Sequence, residues 1–160
     1  MKIKIGVLSD THLNKVSDEL QRIKAQYLED VDYILHAGDI VSAEIVEYLN
    51  DGNFFGVHGN MDPLSVRELL PEKTILEFGR FRCGLIHGWG PKAGLEERIN
   101  REFTDVDVII YGHSHIPANH VKDGILFFNP GTAIGYSSSG THTIGILDID
   151  ANITGRIIEI

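Results

Sequence analysis

A chain of 160 residues, 42% hydrophobic and 23% charged, has the make-up of one soluble globular domain spanning 1–160, since domains commonly run to about 100–200 residues. Its formal net charge of −9 argues against duplex nucleic acid as a partner, and no apolar run approaches the roughly 18 residues of a membrane span. Cys83 is the only cysteine, which excludes an intramolecular disulfide and a cysteine-built zinc site; "MKIKIGVLSD" turns acidic before a signal-peptide core can form, so the cytoplasm is the expected compartment.

"KIKIGVLSD" alternates and then runs apolar into Ser9 and Asp10, the pattern of a strand that becomes buried. "DELQRIKAQYLED" carries Leu20, Ile23, Ala25, Tyr27 and Leu28 at roughly helical spacing, with Ser17 as its N-cap. "VDYILHAGD" is a second strand with a polar end, and "SAEIVEYLND" a helix capped by Ser42 and stopped at Gly52. "NFFGVHGNMD" is a third strand. This alternation predicts a mostly parallel sheet with helices on its faces. The pattern then changes: "EKTILEFGRFRCGLIHG" reads as a hairpin about Gly79-Arg80, "KAGLEERINREF" as a helix and "VDVIIYG" as a strand. "ANHVKDGILFFN" turns at Asp123-Gly124 and "THTIGILDIDANITGRIIEI" near Ala151-Asn152. The second half is therefore expected to be antiparallel in character, with two sheets and helices outside them; "GYSSSG" is a loop.

The strands end alike: "SDTH", "HAGD", "HGNMD", "IHGWG" and "YGHSH". In open α/β sheets the carboxyl ends of the strands form the ligand crevice. These ends deliver Asp10, His12, Asp39, Asn60, His87, His113 and His115. Singly they are weak signals: Asp10 and Thr11 satisfy a turn, "GD" and "GN" mark turns, and a lone His87 is more often hydrogen-bonded than ligating. Together they are oxygen and nitrogen ligands in excess of one ion and suited to two. Paired cations about 3.5–4 Å apart are the recurring apparatus of phosphate-ester hydrolysis.

The order D-x-H, GD, GN, HG and GH-x-H, followed by "NPGT" at 129–132, resembles the calcineurin-like metallophosphoesterases, and the length resembles the small YfcE-type phosphodiesterases. The resemblance implies a four-layer α/β/β/α sandwich of two mixed sheets flanked by helices. It implies that Asp10, His12 and His115 hold one metal, that Asn60, His87 and His113 hold the other, and that Asp39 bridges them. The sequence departs from the superfamily pattern GNH[DE] by carrying Met61, and a thioether cannot donate a proton. Trp89 stands where many relatives have the second histidine of HGH.

Imidazole, carboxylate and amide ligands suit Mn2+, Fe2+, Co2+, Ni2+ or Zn2+ better than Mg2+ or Ca2+. Two such ions outweigh the charges of Asp10, Asp39 and a bridging hydroxide, so the centre attracts a phosphodiester despite the acidic protein. The expected reaction is in-line attack of that hydroxide on phosphorus, with Asp39 and Asn60 as catalytic ligands. Asp62 is a further catalytic candidate that either orients a ligand histidine or caps "PLSVRELL". His36 and His58 are assigned to hydrogen bonding behind the ligands or to strand packing, and His120, His142 and Cys83 to structure. Trp89 either packs under the next helix or lines the substrate cleft. The expected partner is a small phosphodiester, and a homo-oligomer is compatible with the chain. The competing readings are a phosphomonoesterase and a non-catalytic metal-binding interaction module on the same fold, as in the retromer's phosphoesterase-like subunit.

Overall fold

The computed structural model describes residues 2–137 and 139–160. In chain order the elements are β1 (Ile3–Leu8), α1 (Asp18–Ile23), a π-helical segment (Lys24–Leu28), β2 (Tyr33–His36), α2 (Ala43–Leu49), β3 (Phe54–Gly56) and α3 (Leu64–Arg67). Then follow β4 (Lys73–Phe78), β5 (Phe81–Ile86), α4 (Leu95–Asn100), β6 (Val108–Ile110), β7 (Ala118–Lys122), β8 (Ile125–Asn129), β9 (Thr143–Ile149) and β10 (Ile153–Glu159). Ser17 and Ser42 cap their helices as expected, their hydroxyls accepting from Leu20 N at 3.1 Å and Glu44 N at 3.2 Å. The first helix is shorter than its apolar spacing predicts. It widens into the π turn, which seats Leu28 over Gly6, where a Cβ would stand 2.4 Å from Leu28 Cδ2.

Two mixed sheets result, ordered β10-β9-β1-β2-β3 and β4-β5-β6-β8-β7. The expected parallel run β1, β2, β3 is present. The second half differs from expectation in two ways. Strands β5, β6 and β8 are parallel to one another, with antiparallel pairing confined to the edges β4 and β7. Strands β9 and β10 leave that half altogether and complete the first sheet beside β1. Hairpin turns are written in local sequence, whereas the sheet a hairpin joins is decided by which apolar faces remain uncovered.

Alternation along the strands sorts side chains into layers. Ile5, Val7 and Leu35 from the first sheet, with Val57 just past β3, meet Cys83, Leu85, Val108, Ile110 and Phe128 from the second in an apolar layer between them. Leu8, Ile34 and Ile144 face outward under Leu20, Ile23, Ile45 and Leu49 of α1 and α2. Ile86, Ile109 and Phe127 face outward under Leu95 and Ile99 of α4. The arrangement is an α/β/β/α sandwich. Fully burying one such aliphatic side chain is worth about 1.5–3 kcal/mol, so these layers fix the strand ends firmly. Among the described residues no helix is long and apolar enough to cross a membrane.

Candidate metal centre

The loops after β1 and β2 are stitched to each other, and so are the loops after β5 and β6. Asp10 N donates to Gly38 O at 3.0 Å, His12 N to Asp39 O at 3.1 Å, and Gly112 N to His87 O at 3.1 Å. At Gly112 the packing leaves no room for a side chain: a Cβ there would lie 2.0 Å from Ser9 Oγ and 2.7 Å from Asp10 Oδ2. Asp10, His12, Asp39, Val41, His113 and His115 all have φ between 48° and 76°. Left-handed backbone costs an L-residue roughly 1–2 kcal/mol, and Val41 is β-branched, so the surroundings must hold these turns in place.

The loops bring the predicted ligands together. Asp10, His12 and His115 offer ligand atoms within 4.8 Å of one another, and so do Asp10, Asp39 and His87. Asp39 Oδ2 stands between the two halves, 3.3 Å from His12 Nε2 and 3.2 Å from His87 Nε2. Asn60 Oδ1 lies 3.0 Å from His87 Nε2. The His113 ring is 5.3 Å from that of His87, and the His115 ring 5.4 Å from that of His12. Five of the predicted ligands, Asp10, His12, Asp39, His87 and His115, thus fall into two groups that share Asp10, while Asn60 and His113 stand beside His87 without offering an atom to either group.

The hydrogen bonds at the back of the rings define what faces the centre. His87 Nδ1 donates to Ala37 O at 2.7 Å, which leaves Nε2 as the lone-pair nitrogen of the neutral ring. That nitrogen then meets Asp39 Oδ2 and Asn60 Oδ1, acceptor against acceptor, with Asp10 Oδ1 at 3.8 Å. Buried Asp10 Oδ1 has no hydrogen bond of good geometry, although His115 Nε2 approaches it to 3.2 Å. A proton can relieve one such contact, whereas a divalent cation relieves several at once. The donor set and its unpaired oxygen thus fit a metal ion.

The ionisation tendencies reflect the same deficit of positive charge. Burial opposes ionisation of Asp39, yet the hydrogen bonds that His12 and His87 donate to it once protonated, the His87 charge and the Met61 amide hold its carboxyl well below the usual range. Burial likewise opposes ionisation of Asp10, and His115, His87 and Ser9 bring it down. His12 is raised by its bond to Asp39. His87 is also raised, burial being outweighed by Asp39 and Asp10.

Several residues hold the loops. The buried Asp62 carboxylate accepts from Asp39 N at 3.0 Å, Val41 N at 2.6 Å and Gly59 N at 2.7 Å. It therefore fastens the GD and GN turns together instead of capping α3, whose N-cap is Pro63 without a side-chain bond. Asn129 donates to Gly112 O at 3.1 Å and Ser114 Oγ at 3.0 Å, and Thr132 Oγ1 to Asp10 O at 2.8 Å. These two give "NPGT" a role that pattern reading had not supplied; the visible signal was an asparagine ending an apolar strand. Fully buried His36 bridges Thr11 Oγ1 and Gly38 N, each at 3.1 Å. Cys83 is buried in the inter-sheet layer, as expected. His120 pairs with Glu96 at 2.9 Å and stacks on Phe127.

A cleft of about 160 Å³ opens beside Asn60 and His87 and is lined also by His58, Arg67, Glu72 and Trp89. Trp89 is 42% exposed and borders this cleft, the second of the two placements expected for it. Met61 is 61% exposed at the rim. A larger cavity of about 380 Å³, between Lys24, Tyr33 and Tyr48, shares no residue with the ligand cluster.

A family model described as the calcineurin-like phosphoesterase superfamily domain matches residues 3–152. A protein of Methanocaldococcus jannaschii named "Probable metallophosphoesterase" is 39% identical over 132 residues, covering 80% of this chain and 67% of that protein. Among solved structures, a novel archaeal phosphodiesterase superposes with a TM-score of 0.74 at 28% identity, covering 99% of this chain and 100% of that one. The Vacuolar Protein Sorting 29 protein of Cryptosporidium parvum superposes with a TM-score of 0.75 at 23% identity, covering 99% and 98%, and shares the fold.

Proposed function

The chain belongs to the calcineurin-like phosphoesterase superfamily, and we propose that within it the whole chain acts as a single-domain, dinuclear phosphodiesterase on small phosphodiesters. The observation that carries this reading is the convergence of His87 Nε2, Asp39 Oδ2 and Asp10 Oδ1, the last of which accepts no hydrogen bond although imidazole nitrogens approach it. In this reading Asp10, His12 and His115 would hold one divalent ion and Asn60, His87 and His113 a second, with Asp39 available to both. Such a pair of ions supplies Lewis acidity at phosphorus and lowers the pKa of water to about 7.

The protein's own groups do the rest. Asp10 and Asp39 stay ionised through the neutral range, because the histidines around them favour the charged form. His87 and His113 are oriented by carbonyls behind them, Ala37 O and Gly90 O. Asn60 turns Oδ1 toward His87, which leaves its amide N–H groups for an anionic phosphoryl oxygen. Met61 supplies no proton, so the leaving group departs without a positioned acid; such an acid typically contributes about 10²–10⁴-fold. Esters of acidic alcohols such as nitrophenol are therefore favoured over alkyl esters. Asp62, turned to three backbone N–H groups, acts by fixing Asp39.

The test is hydrolysis of bis(p-nitrophenyl) phosphate, an alkyl p-nitrophenyl diester, a dialkyl diester and p-nitrophenyl phosphate by protein reconstituted with Mn2+ or Ni2+. Aryl diesters should turn over fastest, and a chelator should abolish the rate. Preference for the monoester would make the protein a phosphomonoesterase, and bound metal without hydrolysis of any ester would leave the interaction module.

A further inference from the structure

The guanidinium of Arg98 in α4 is spent on the loop that follows β5. Nε and Nη2 donate to Trp89 O at 3.0 and 2.8 Å, Nη1 donates to Ala93 O at 3.0 Å, and Nη2 also reaches Pro91 O. None of the ion pairs among the described residues includes Arg98. The loop is shaped around this group: Gly90 and Gly94 have φ of +81° and +76°, and a Cβ on either would stand 3.3 Å from guanidinium atoms. The helix beneath is itself anchored. Leu95 and Ile99 are buried against the second sheet, and Glu96 binds the Tyr111 hydroxyl at 2.8 Å and His120 at 2.9 Å. Between the Trp89 and Pro91 carbonyls, Gly90 O is 2.8 Å from His113 Nε2.

We propose that Arg98 is the positioning residue of His113. By fixing the carbonyls on either side of Gly90, it holds Gly90 O where it accepts the Nε2 proton of His113. The ring is thereby kept in the Nε2–H tautomer, with Nδ1 as its lone-pair nitrogen. A planar fork with several donors can bind three carbonyls at once, which an ammonium cannot reproduce. That Nδ1 then serves a second ion rests on the two-ion reading; the tautomer itself does not.

The experiment compares the wild-type chain with Arg98→Met and Arg98→Lys. Histidine ¹⁵N–¹H correlation spectra of the metal-free proteins report the His113 tautomer, with His113→Gln assigning the signal. Calorimetric titration with Mn2+ reports each site's affinity, and thermal melting reports stability. Wild type should show Nε2–H. Arg98→Met should show a tautomer mixture and bind the weaker ion about 10–100-fold less tightly, the usual effect of losing a partner behind a ligand. The stronger site should be unchanged, and Arg98→Lys should lie between. The spectrum of either folded variant suffices, so Arg98→Lys decides if Arg98→Met does not fold. Retention of the Nε2–H signal, or a loss of stability with both affinities falling together, overturns the assignment. Uptake of a single ion by wild type defeats the two-ion reading, and the spectrum alone then judges Arg98.

Discussion

The two walls of the cleft carry different charge and are held by different chemistry. The wall on the first sheet presents two buried carboxylates, Asp10 and Asp39, in turns of left-handed backbone. It is secured from inside, by the Asp62 carboxylate on three amides and the Thr132 hydroxyl on Asp10 O. The wall on the second sheet presents imidazoles. It is secured by the Asn129 amide beneath the "GHSH" loop and by the part-exposed Arg98 guanidinium on the loop of Trp89. Crowded like charges demand fixed, dry backbone, because each carboxylate otherwise moves to water. Neutral rings demand only direction. Damage to the first wall should therefore cost stability and metal together, and damage to the second should tune affinity and substrate.

Asp39→Ala is the strongest way to break that contrast. It removes the oxygen that faces histidines from both halves, and should abolish activity and leave one ion or fewer per chain. Two tightly held ions found by elemental analysis would show that Asp39 is not shared.

Asp62→Ala comes next, since it strands the buried amides of Asp39 and Gly59 and the part-buried amide of Val41. Each unsatisfied group costs about 1–3 kcal/mol, so urea denaturation should show a loss of several kcal/mol. A change below about 1 kcal/mol, within the range of an ordinary surface substitution, would mean that the turns hold without it.

His36 sharpens the comparison through pH. Burial lowers its pKa from the usual 6.5 to about 4, so the unfolded chain takes up a proton that the folded one refuses. The stability of the neutral ring is fully present above pH 6.5 and is lost as pH falls toward about 4, for a total of about 3 kcal/mol. His36→Gln should flatten the pH dependence of unfolding in that window. An unchanged slope would place the proton elsewhere.

The smallest effect belongs to the second wall. Trp89→Ala should raise KM for aryl and nucleoside diesters about tenfold, because stacking on an aromatic ring is worth roughly 1–3 kcal/mol. Metal content and Tm should stay constant. A lower Tm with unchanged substrate preference would return Trp89 to a packing role.

The first wall was the more legible in the sequence. Asp10, His12 and Asp39 follow apolar strands directly, and Ser17 and Ser42 mark the helices behind them. The Asp123-Gly124 turn was equally plain, both residues adopting positive φ as a two-residue hairpin requires. What failed to show was non-local. The joining of β9 and β10 to the first sheet depends on a face left open beside β1. Arg98 binds backbone carbonyls, which any sequence offers, and nothing in "KAGLEERINREF" singles it out from its charged neighbours. Asp62 looked like a helix cap because a short helix follows it; its targets lie 3, 21 and 23 residues away.

Anomalous diffraction from crystals loaded with Mn2+ bears most directly on the shared centre. Two peaks are predicted, one against Asp10, His12 and His115, the other against Asn60, His87 and His113, with Asp39 between them. A single peak, or His113 and His115 on the same ion, would contradict it.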